Sequence, residues 1–492
     1  MPTNHSNNQL NRIEVMFVAA EAEPYVKVGG LGDVAGALPR ALNQLNQIHM
    51  TKVNVRLFLP YHQTIKDKKI KTELITDFTI PTLEGDKTGK CYFFEDEGLK
   101  VYLIDGEPVK KAKHIYDTRS DIIGDLYTFF SLSLYQIIKN ISWQPDIIHA
   151  NDWHTALTIY ATSIRNKLKS QRKKYHTVLS IHNLQYMGFE SKDLLKFYKI
   201  PVRRKSFLPA WSKRLPLPLG IDTAEKVVTV SPTYAKEIQT AKYGCGLENY
   251  FKDAKIPLSG ILNGIDDNYW NPQTDIHINT NYNINSLAKR QSNKKQLLNE
   301  FTLDTNLSIP LLVIISRLEY QKGIDIAIES LKIFKAQQWN LVILGSGNPQ
   351  LEESCQHLYS QFPEKVRVAS RFDEQLAHKL YASGDVLLMP SRYEPCGITQ
   401  MIAMRYGCVP IANSTGGLKD TICDGKDQTK QTGFLIKKSS PAELSNTLMR
   451  AITIFINNKD QWGTVQINGM EKDFSWSNSA LKYANLYRQL LQ

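Results

Sequence analysis

The chain has 492 residues, a hydrophobic fraction of 42% and a net charge of +12 at pH 7. This length suffices for two or three domains with sizeable cores. No apolar run is long enough to cross a membrane, and the first residues, MPTNHSNNQLNR, lack the apolar core of a signal peptide. We therefore expect a cytoplasmic protein without a membrane partner. The six cysteines show no metal-ligand spacing, so no metal site is expected.

Part of the excess positive charge lies in the basic run RNKLKSQRKK at residues 165–174. Such a run can attract an anionic ligand or a nucleic acid. It is also typical of a solvated surface, and no RNA- or DNA-binding motif accompanies it. The solvated surface is the preferred interpretation, and we expect no nucleic-acid partner.

The first half of the chain alternates short apolar runs with helical stretches. A helix is predicted at residues 31–46 and buried strands at 12–20, 53–60, 144–152, 176–183 and 224–231. Such alternation predicts a parallel sheet covered by helices on both faces.

The same alternation restarts in the second half. Strands are predicted at 310–317, 340–347, 364–370, 385–391 and 408–413, and helices at 323–335, 373–383 and 401–407. The turn-rich stretch 259–272 marks a hinge between the halves, and a final apolar helical face begins after Ser475. We therefore predict an N-terminal domain over 1–257, a C-terminal domain over 258–473 and a last helix over 474–492.

A glycine-rich loop follows the first predicted strand. Gly29, Gly30 and Gly32 tolerate positive φ and close approach of a ligand, the helix behind them offers free N–H groups, and Lys27 adds a positive charge. The loop is therefore a candidate anion site. A dinucleotide fingerprint is an alternative, because Gly30, Gly32 and Ala35 fit G-x-G-x-x-A, although the second strand lacks the required acidic residue. A purely structural turn is a third possibility.

Two further motifs follow strands of the second half. In SRLEYQKG, the Arg317 guanidinium can grip two phosphate oxygens while Lys322 acts as a point charge, or both are simple surface cations. In PSRYEPCGITQ, Glu394 precedes a helix predicted to begin near Ile398. Its carboxylate either caps that helix or binds sugar hydroxyls while the helix N–H groups receive phosphate. Cys396 has no base nearby, which favours a packing role over a nucleophilic one.

Polar residues also end two strands of the first half. His182 lies in SIHNLQYMG, and Asp152 with Trp153 lies in HANDWHTAL. The histidines and the aspartate of these motifs could form a metal site, but the usual ligand spacings are absent. Because ligands bind outside the carboxyl ends of parallel strands, the common position of all these motifs is a stronger signal than any one of them.

These motifs together resemble bacterial glycogen synthases and plant starch synthases, which are retaining glucosyltransferases of the GT-B fold. The matching motifs run in the family's order and also include VSPTYAKEI, ILNGIDDNYWNP and STGGLKDTI. The resemblance implies two Rossmann-like parallel-sheet domains facing a central cleft, with the last helix packing back on the N-terminal domain. This chain departs from the family at Val28, where threonine is usual, and matches weakly over residues 105–130.

The resemblance also implies roles for individual residues. Glu394 would bind hydroxyls of the donor glucose, His182 another hydroxyl near the anomeric carbon, and Phe372 would stack on the base. The catalytic set would be Lys27, His182, Arg317, Lys322 and Glu394. Asp152, Trp153 and Asn263 would line the acceptor side. The donor-binding set would be Lys27, Gly29, Gly30, Gly32, Asp33, Arg317, Lys322, Phe372, Glu394, Cys396, Gly397, Ile398 and Thr399.

The reaction that the resemblance implies is glucose transfer from ADP-glucose to the non-reducing end of glycogen or another α-1,4-glucan, in glycogen biosynthesis. No metal or other cofactor is expected, because Lys27, Arg317 and Lys322 can neutralise the departing diphosphate. The family favours ADP-glucose, although a stacking aromatic accepts adenine or uracil. Alternatives are a related enzyme with a small sugar acceptor, a glucan-binding protein without catalysis, and an NAD oxidoreductase.

Overall fold

The computed structural model describes residues 12–45, 52–167, 173–203, 206–335, 337–425 and 427–492. Its first compact unit falls within residues 1–230, 235–261 and 476–492, and its second within 231–234 and 262–475. The N-terminal residues 1–11 and the middle of the basic run at 165–174 lie outside the described residues.

Within the described residues, the first unit contains a nine-stranded sheet. Its strands are β1 (Ile13–Val18), β2 (Val53–Pro60), β3 (Glu73–Thr82), β4 (Gly85–Asp96), β5 (Leu99–Gly106), β6 (Ile147–Asn151), β7 (His176–Ile181), β8 (Lys226–Thr229) and β9 (Leu258–Gly260). The strand order is β3-β4-β5-β2-β1-β6-β7-β8-β9. All neighbours pair in parallel except β3 with β4 and β4 with β5, which are antiparallel.

Over the described part of residues 262–475, a second sheet has six strands, all parallel to their neighbours. They are β10 (Leu311–Ile315), β11 (Asn340–Leu344), β12 (Val366–Ala369), β13 (Val386–Met389), β14 (Val409–Asn413) and β15 (Phe434–Ile436). Their order is β12-β11-β10-β13-β14-β15.

Helices connect the strands of both sheets. Up to residue 261 they are α1 (Gly30–Gln44), α2 (Gln63–Asp67), α3 (Glu107–Lys111), α4 (Ser120–Asn140), α5 (Trp153–Asn166), α6 (Leu194–Phe197), α7 (Pro216–Ile221), α8 (Pro232–Glu237) and α9 (Glu248–Asp253). Beyond it they are α10 (Arg290–Glu300), α11 (Ile324–Ile333), α12 (Pro349–Gln361), α13 (Glu374–Ser383), α14 (Thr399–Arg405), α15 (Gly416–Thr421), α16 (Pro441–Asn457), α17 (Lys459–Met470) and α18 (Trp476–Leu491). In the described chain, no helix is both long and apolar enough to span a bilayer.

The two sheets share one topology. The strands β5-β2-β1-β6-β7-β8 and β12-β11-β10-β13-β14-β15 both follow the doubly wound order 3-2-1-4-5-6. The prediction of two Rossmann-like domains is therefore confirmed. The first sheet is mixed rather than purely parallel, because the meander β3–β5, which the sequence analysis did not identify, extends one edge.

The last helix belongs to the first unit. Helix α18 packs against α1, and the Tyr487 hydroxyl lies 2.6 Å from Nδ1 of His149 on β6. Nε2 of His149 lies 2.7 Å from the Ser180 hydroxyl on β7. A fully buried histidine with both nitrogens bonded ties the helix to two strands, so the C-terminus completes the core of the first unit.

Candidate functional site

In each sheet several of the predicted site residues follow the two strands between which the strand order reverses. Strand order reverses between β1 and β6 in the first sheet, and between β10 and β13 in the second. Lys27 follows β1 and Asp152 follows β6, whereas Lys322 follows β10 and Glu394 follows β13. The carboxyl ends at such a reversal form the usual ligand-binding edge of a doubly wound sheet. Each unit therefore presents some of the predicted residues at its own switch point.

Lys27 forms an ion-pair cluster at the start of α1. Its Nζ donates to Oε2 of Glu23 at 2.5 Å and to Oδ1 of Asp33 at 2.7 Å. Partial burial lowers the pKa of Lys27, but Asp33 and Glu23 raise it further, to about 12. The ammonium is thus charged at any physiological pH. Asp33, a predicted donor-binding residue, is here the partner of this lysine.

The glycines of this loop act through their small size. None adopts positive φ, since Gly29 is extended with φ −134° and Gly30 and Gly32 lie within α1. The positive φ that glycine tolerates is therefore not used in this loop. A Cβ atom on Gly32 would lie 2.9 Å from Cγ of Lys27. Glycine is needed at this position so that the lysine side chain can cross the helix start.

Glu21 is a functional candidate that the sequence analysis missed. Its buried carboxylate accepts hydrogen bonds from the backbone N–H groups of Val28 and Gly29, and from the Tyr116 hydroxyl at 2.7 Å. Burial raises the pKa of Glu21, against the effect of these hydrogen bonds. The two N–H groups thus face a protein carboxylate, so the anion-binding capacity of the loop depends on Lys27 and the helix start. An acidic residue directly after an apolar strand was the signal available in the sequence.

His182, at the end of β7, is held as one neutral tautomer. Asn151 donates from Nδ2 to the Val18 carbonyl at 2.9 Å, which orients its Oδ1 towards Nε2 of His182, also at 2.9 Å. Nε2 therefore carries the proton, an assignment made from the hydrogen-bond network. Burial lowers the pKa of His182 to about 4. At neutral pH, Nδ1 of this ring is an acceptor suited to a hydroxyl donor.

Asp152 links the ends of β6 and β7. It has positive φ (55°) at the start of α5, and its Oδ1 accepts from the backbone N–H of His182 at 2.7 Å and of Asn183 at 3.3 Å. Burial raises the pKa of Asp152 to about 7. Trp153 is 4% exposed, and its ring packs 5.3 Å from that of Tyr127. Asp152 and Trp153, the predicted acceptor-side residues of this unit, thus hold the ends of β6 and β7 in place.

In the second unit, Lys322 and Glu394 form a chelating ion pair. Nζ of Lys322 donates to both carboxylate oxygens of Glu394, at 2.9 and 2.7 Å, and the Ser391 hydroxyl donates to Oε2 at 3.1 Å. Glu394 is 5% exposed. Helix α14 has Ile398 as its N-cap, with no side-chain capping bond. The helix-cap interpretation of Glu394 is therefore wrong, and the carboxylate belongs to a polar cluster between β10 and β13.

Glycines bring three loops of the second unit into backbone contact. Gly323 has φ 69°, and a Cβ atom there would lie 2.2 Å from the Pro390 carbonyl oxygen. On the loop after β14, Cβ atoms on Gly416 and Gly417 would lie 1.9 Å from the carbonyl oxygen of Glu394 and 2.1 Å from that of Cys396. No larger residue fits at these positions, so the loops hold Glu394 from both sides.

Arg317 and Phe372 are two members of the predicted donor set whose side chains are exposed. Phe372 is 87% exposed. The guanidinium of Arg317, also exposed, makes no ion pair with any residue in the described parts of the chain. Each side chain can therefore meet a ligand without first breaking a contact. Their position after strands of one sheet agrees with the predicted diphosphate and base contacts, which stay predictions.

The segment after Glu394 is buried and tightly turned. Gly397 has φ 70°, and Thr399 is the first residue of α14, where its side chain hydrogen-bonds with Tyr381. Cys396 is buried, and burial raises the pKa of its thiol to about 12. A thiol that stays protonated is no nucleophile, in agreement with the packing role favoured from the sequence.

Asn263 reaches the same region from another loop of the second unit. Its backbone N–H hydrogen-bonds with the Cys396 sulfur. The side chain is 9% exposed, and its Oδ1 is buried without a hydrogen-bond partner within the described residues. A buried unpaired acceptor is costly, so this oxygen is a candidate for a ligand hydroxyl. Across the described residues, no group of three or more His, Cys, Asp or Glu side chains could hold a metal.

Two family models match the chain along most of its length. The model described as starch synthase catalytic domain matches residues 14–253, and that described as glycosyl transferases group 1 matches residues 299–462. Among curated relatives, the glycogen synthase of Anoxybacillus flavithermus is 36% identical over 97% of this chain and 98% of its own. The glycogen synthase of Fervidobacterium nodosum is 37% identical over 97% and 99%.

Solved structures agree with these relatives. The catalytic domain of starch synthase IV from Arabidopsis thaliana, described as bound to ADP and acarbose, has a TM-score of 0.85 and 29% identity, covering 98% of this chain and 99% of that one. Sucrose-phosphate synthase from Thermosynechococcus elongatus has a TM-score of 0.59 and 16% identity over 98% and 99%, a likeness of fold alone.

The repeated doubly wound topology, the strand-end clusters and these matches define a glycosyltransferase of the GT-B class. The chain belongs to the glycogen synthase family. Its activity is that of a glucosyltransferase that extends glycogen, and the resemblance drawn from the sequence motifs is confirmed.

Proposed function

We propose that this enzyme transfers glucose from ADP-glucose to the non-reducing end of an α-1,4-glucan, with retention of the anomeric configuration. The observation that carries the proposal is the switch point of the second sheet, where Lys322, Glu394 and the exposed Arg317 follow adjacent strands. A nucleoside diphosphate glucose needs cations at the diphosphate and hydrogen-bond acceptors at the sugar. A relative described as bound to ADP supports the choice of base.

The chemical step follows from these groups. The 4-hydroxyl oxygen of the acceptor forms a bond to C1 of the donor glucose, the bond from C1 to the phosphate oxygen breaks, and ADP departs with both electrons. The proton of the 4-hydroxyl passes to the departing phosphate oxygen. Arg317 and Lys322 stabilise the charge that grows on the diphosphate, an interaction that strengthens in the transition state. Glu394 positions the glucose through its hydroxyls.

The remaining predicted residues have supporting roles in the proposal. His182 accepts a hydrogen bond from a sugar hydroxyl at Nδ1, which its neutral tautomer leaves unprotonated. Lys27 binds phosphate oxygens of the donor, and Phe372 stacks on the base. Asn263 offers its buried, unpaired Oδ1 to an acceptor hydroxyl.

We further propose that the reaction needs no metal ion, since fixed cations already serve the leaving group. Unchanged initial rates after treatment with EDTA would support this, and loss of activity that Mg²⁺ restores would contradict it.

A cytoplasmic location is also proposed. All six cysteines lie in the described part of the chain and are free thiols, as is usual in a reducing compartment.

The first experiment measures nucleotide release from ADP-glucose and from UDP-glucose, each with and without glycogen. We expect release from ADP-glucose that depends on glycogen, and a product whose new residues are removed by an exo-acting α-1,4-glucan hydrolase. Faster release from UDP-glucose would overturn the choice of donor. Release without glycogen, stimulated instead by a small sugar, would overturn the polymeric acceptor.

A further inference from the structure

Two exposed aromatic rings lie side by side in the first unit, shortly after the strand end that carries His182. Phe189 is 56% exposed and Trp211 is 41% exposed. Their ring centroids are 6.3 Å apart, and the ring planes differ by 8°. An ordered pair of large apolar rings in water usually marks a binding surface. We call Phe189 and Trp211 the aromatic platform.

Both rings stand on turns that are fixed from inside the unit. Phe189 begins the 3-10 turn Phe189–Ser191, and Trp211 is the middle residue of the 3-10 turn Ala210–Ser212. The last residue of each turn is a fully buried serine whose hydroxyl donates to a backbone carbonyl, at 3.1 Å in the first turn and 3.0 Å in the second. The exposed residue of each turn is thus carried by a buried anchor.

Glycines behind the platform bring further backbone against it. A Cβ atom on Gly124 of α4 would lie 2.2 Å from the carbonyl oxygen of Glu190, and one on Gly246 would lie 3.1 Å from Cζ2 of Trp211. The turn after Phe189 therefore rests on α4, and the indole edge rests on the chain at Gly246. Rings held in this way lose little freedom when they bind, which favours affinity.

We propose that the aromatic platform binds the acceptor glucan by stacking on the C–H faces of successive glucose rings. The inference rests on the proposed function, because it takes the acceptor to be an α-1,4-glucan. Each glucose ring has an apolar C–H face, and aromatic side chains supply large apolar contact with little loss of conformational freedom. Two nearly parallel ring planes suit consecutive sugars of one chain.

The position of the platform identifies its occupant. The chain runs from His182 through Asn183, whose Oδ1 accepts from the backbone N–H of Gln185 at 3.0 Å, to Tyr186, which is 60% exposed, and then to Phe189. Gly188 directly precedes Phe189, and a Cβ atom there would lie 2.7 Å from Cε3 of Trp153, so the turn that carries Phe189 packs on a predicted acceptor-side residue of this unit. Exposed Gln185 can meet glucose hydroxyls between the two.

Platform binding has a specific kinetic consequence. A glucan chain held at a second point keeps its ends at a high effective concentration near the transfer site. Loss of the platform should therefore weaken the use of long, branched acceptors and leave a short acceptor such as maltose unaffected. The KM for ADP-glucose and the value of kcat should also stay the same.

The test uses Phe189→Ala, Trp211→Ala and the double variant, with Tyr359→Ala on α12 as the matched control, since Tyr359 is also an exposed aromatic, at 39%. Affinity electrophoresis in glycogen-containing gels measures binding without turnover, and initial rates with glycogen and maltose measure catalysis. We expect the glycogen affinity of the double variant to fall about fivefold or more, and its apparent KM for glycogen to rise by a similar factor. Unchanged affinity in the double variant would overturn the proposal.

Two controls separate the alternatives. Trp211→Phe keeps an aromatic face and should retain most of the affinity for glycogen. If the role of Trp211 were purely structural, every Trp211 variant would have a lower melting temperature, and activity with glycogen would not be lost selectively. A change in sedimentation at unchanged glycogen affinity would reveal an interface between copies of the chain and overturn the proposal. If the protein transferred no glucose but was still retarded in glycogen gels in a way that depends on the platform, the proposed function would be refuted and glucan binding by the platform would be supported.

Discussion

Nζ of Lys322 lies 2.9 and 2.7 Å from the two carboxylate oxygens of Glu394. A lysine ammonium has three donors, so Lys322 can hold Glu394 with two of them and offer the third to a phosphate oxygen. The pair joins the proposed sugar-binding residue and the proposed phosphate-binding residue of the second unit in one contact. Variants of either residue therefore affect both the fold and the reaction, and the two effects need separate measurements.

Removal of Lys322 should slow catalysis strongly. We expect Lys322→Ala to lower kcat/KM, with a loss of about 2–4 kcal/mol of transition-state stabilisation, because one cation that faces the leaving diphosphate is removed. Steady-state kinetics with ADP-glucose and glycogen measure this. Lys332→Ala is the control, since Lys332 on α11 pairs with Glu329 at the surface. A Lys322→Ala enzyme within about twofold of wild type would refute the role.

Arg317 and Lys322 should differ in their effects on stability. Lys322→Ala leaves the buried Glu394 carboxylate without its cation, so we expect the free energy of unfolding to fall by about 1–3 kcal/mol. Arg317→Ala breaks no ion pair in the described structure, so its free energy of unfolding should stay within about 0.5 kcal/mol of wild type. Its loss of activity should nevertheless be similar to that of Lys322→Ala. Urea titrations of the two variants check this, and equal destabilisation would contradict the contact pattern.

Gly417 should be required for activity because of the space it leaves. A Cβ atom there would lie 2.1 Å from the Cys396 carbonyl oxygen, so Gly417→Ala must displace the segment after Glu394 and should lower kcat/KM at least tenfold, by about 1.4 kcal/mol or more. The control is Gly463→Ala on α17, where a Cβ atom meets nothing within 4 Å and alanine should stabilise the helix. Full activity of Gly417→Ala would show that this contact does not position Glu394.

Stability should fall as the pH is lowered below 7. Burial lowers the pKa of His62 and His182 to about 4, and of His149 and His154 to about 3. Below pH 6.5 the unfolded chain therefore binds four protons that the folded chain does not, which lowers the unfolding free energy. Asp152, with its pKa raised to about 7, opposes this with one proton. Together these five groups contribute a slope that approaches three protons, or roughly 4 kcal/mol per pH unit, at its steepest.

The contribution of one histidine can be isolated. His149→Gln should reduce this pH dependence by about one proton, or roughly 1.4 kcal/mol per pH unit, because the replacement has no charge to gain on unfolding. The exposed His114→Gln should leave the slope as it is. Urea titrations between pH 5 and 7 give the slopes. Equal slopes for His149→Gln and wild type would contradict the burial argument.

Cys396 should be chemically inert in the folded enzyme. Its burial and raised pKa keep the thiol protonated, so iodoacetamide should label the exposed Cys245 first and Cys396 only after unfolding. Cys396→Ala should retain most of the activity. Peptide mapping after timed labelling checks the first expectation, and abolished activity of the alanine variant would revive a chemical role for the sulfur.

Strands buried on both faces could be predicted closely from the sequence. The strand at 53–60 was predicted with the bounds that β2 has, because its apolar residues, Val53, Val55 and 57–59, are mostly branched or aromatic, which favours a strand. The meander β3–β5 was missed. Six of the ten residues of β3 are exposed, and its polar and apolar residues alternate weakly, so that segment carries no comparable signal.

The site residues were predictable by position but not by partner. The turn-forming glycine and proline residues that follow apolar runs placed Lys27, Arg317 and Glu394 at strand ends. The pairing of Glu394 with Lys322 joins residues 72 positions apart, and the burial of Glu21 depends on Tyr116, 95 positions away. Such contacts depend on tertiary packing, which no local pattern specifies.

The place of α18 affects how the protein is made. The ribosome finishes the strands of the first unit long before it adds Tyr487, the partner of the buried His149. At about 5–20 residues per second, the synthesis of residues 262–475 delays that contact by roughly 10–40 s. During this time the surface of α1 on which α18 packs is uncovered, and its apolar side chains are accessible to chaperones. Loss of the sixteen residues of α18 would make that unfinished state permanent.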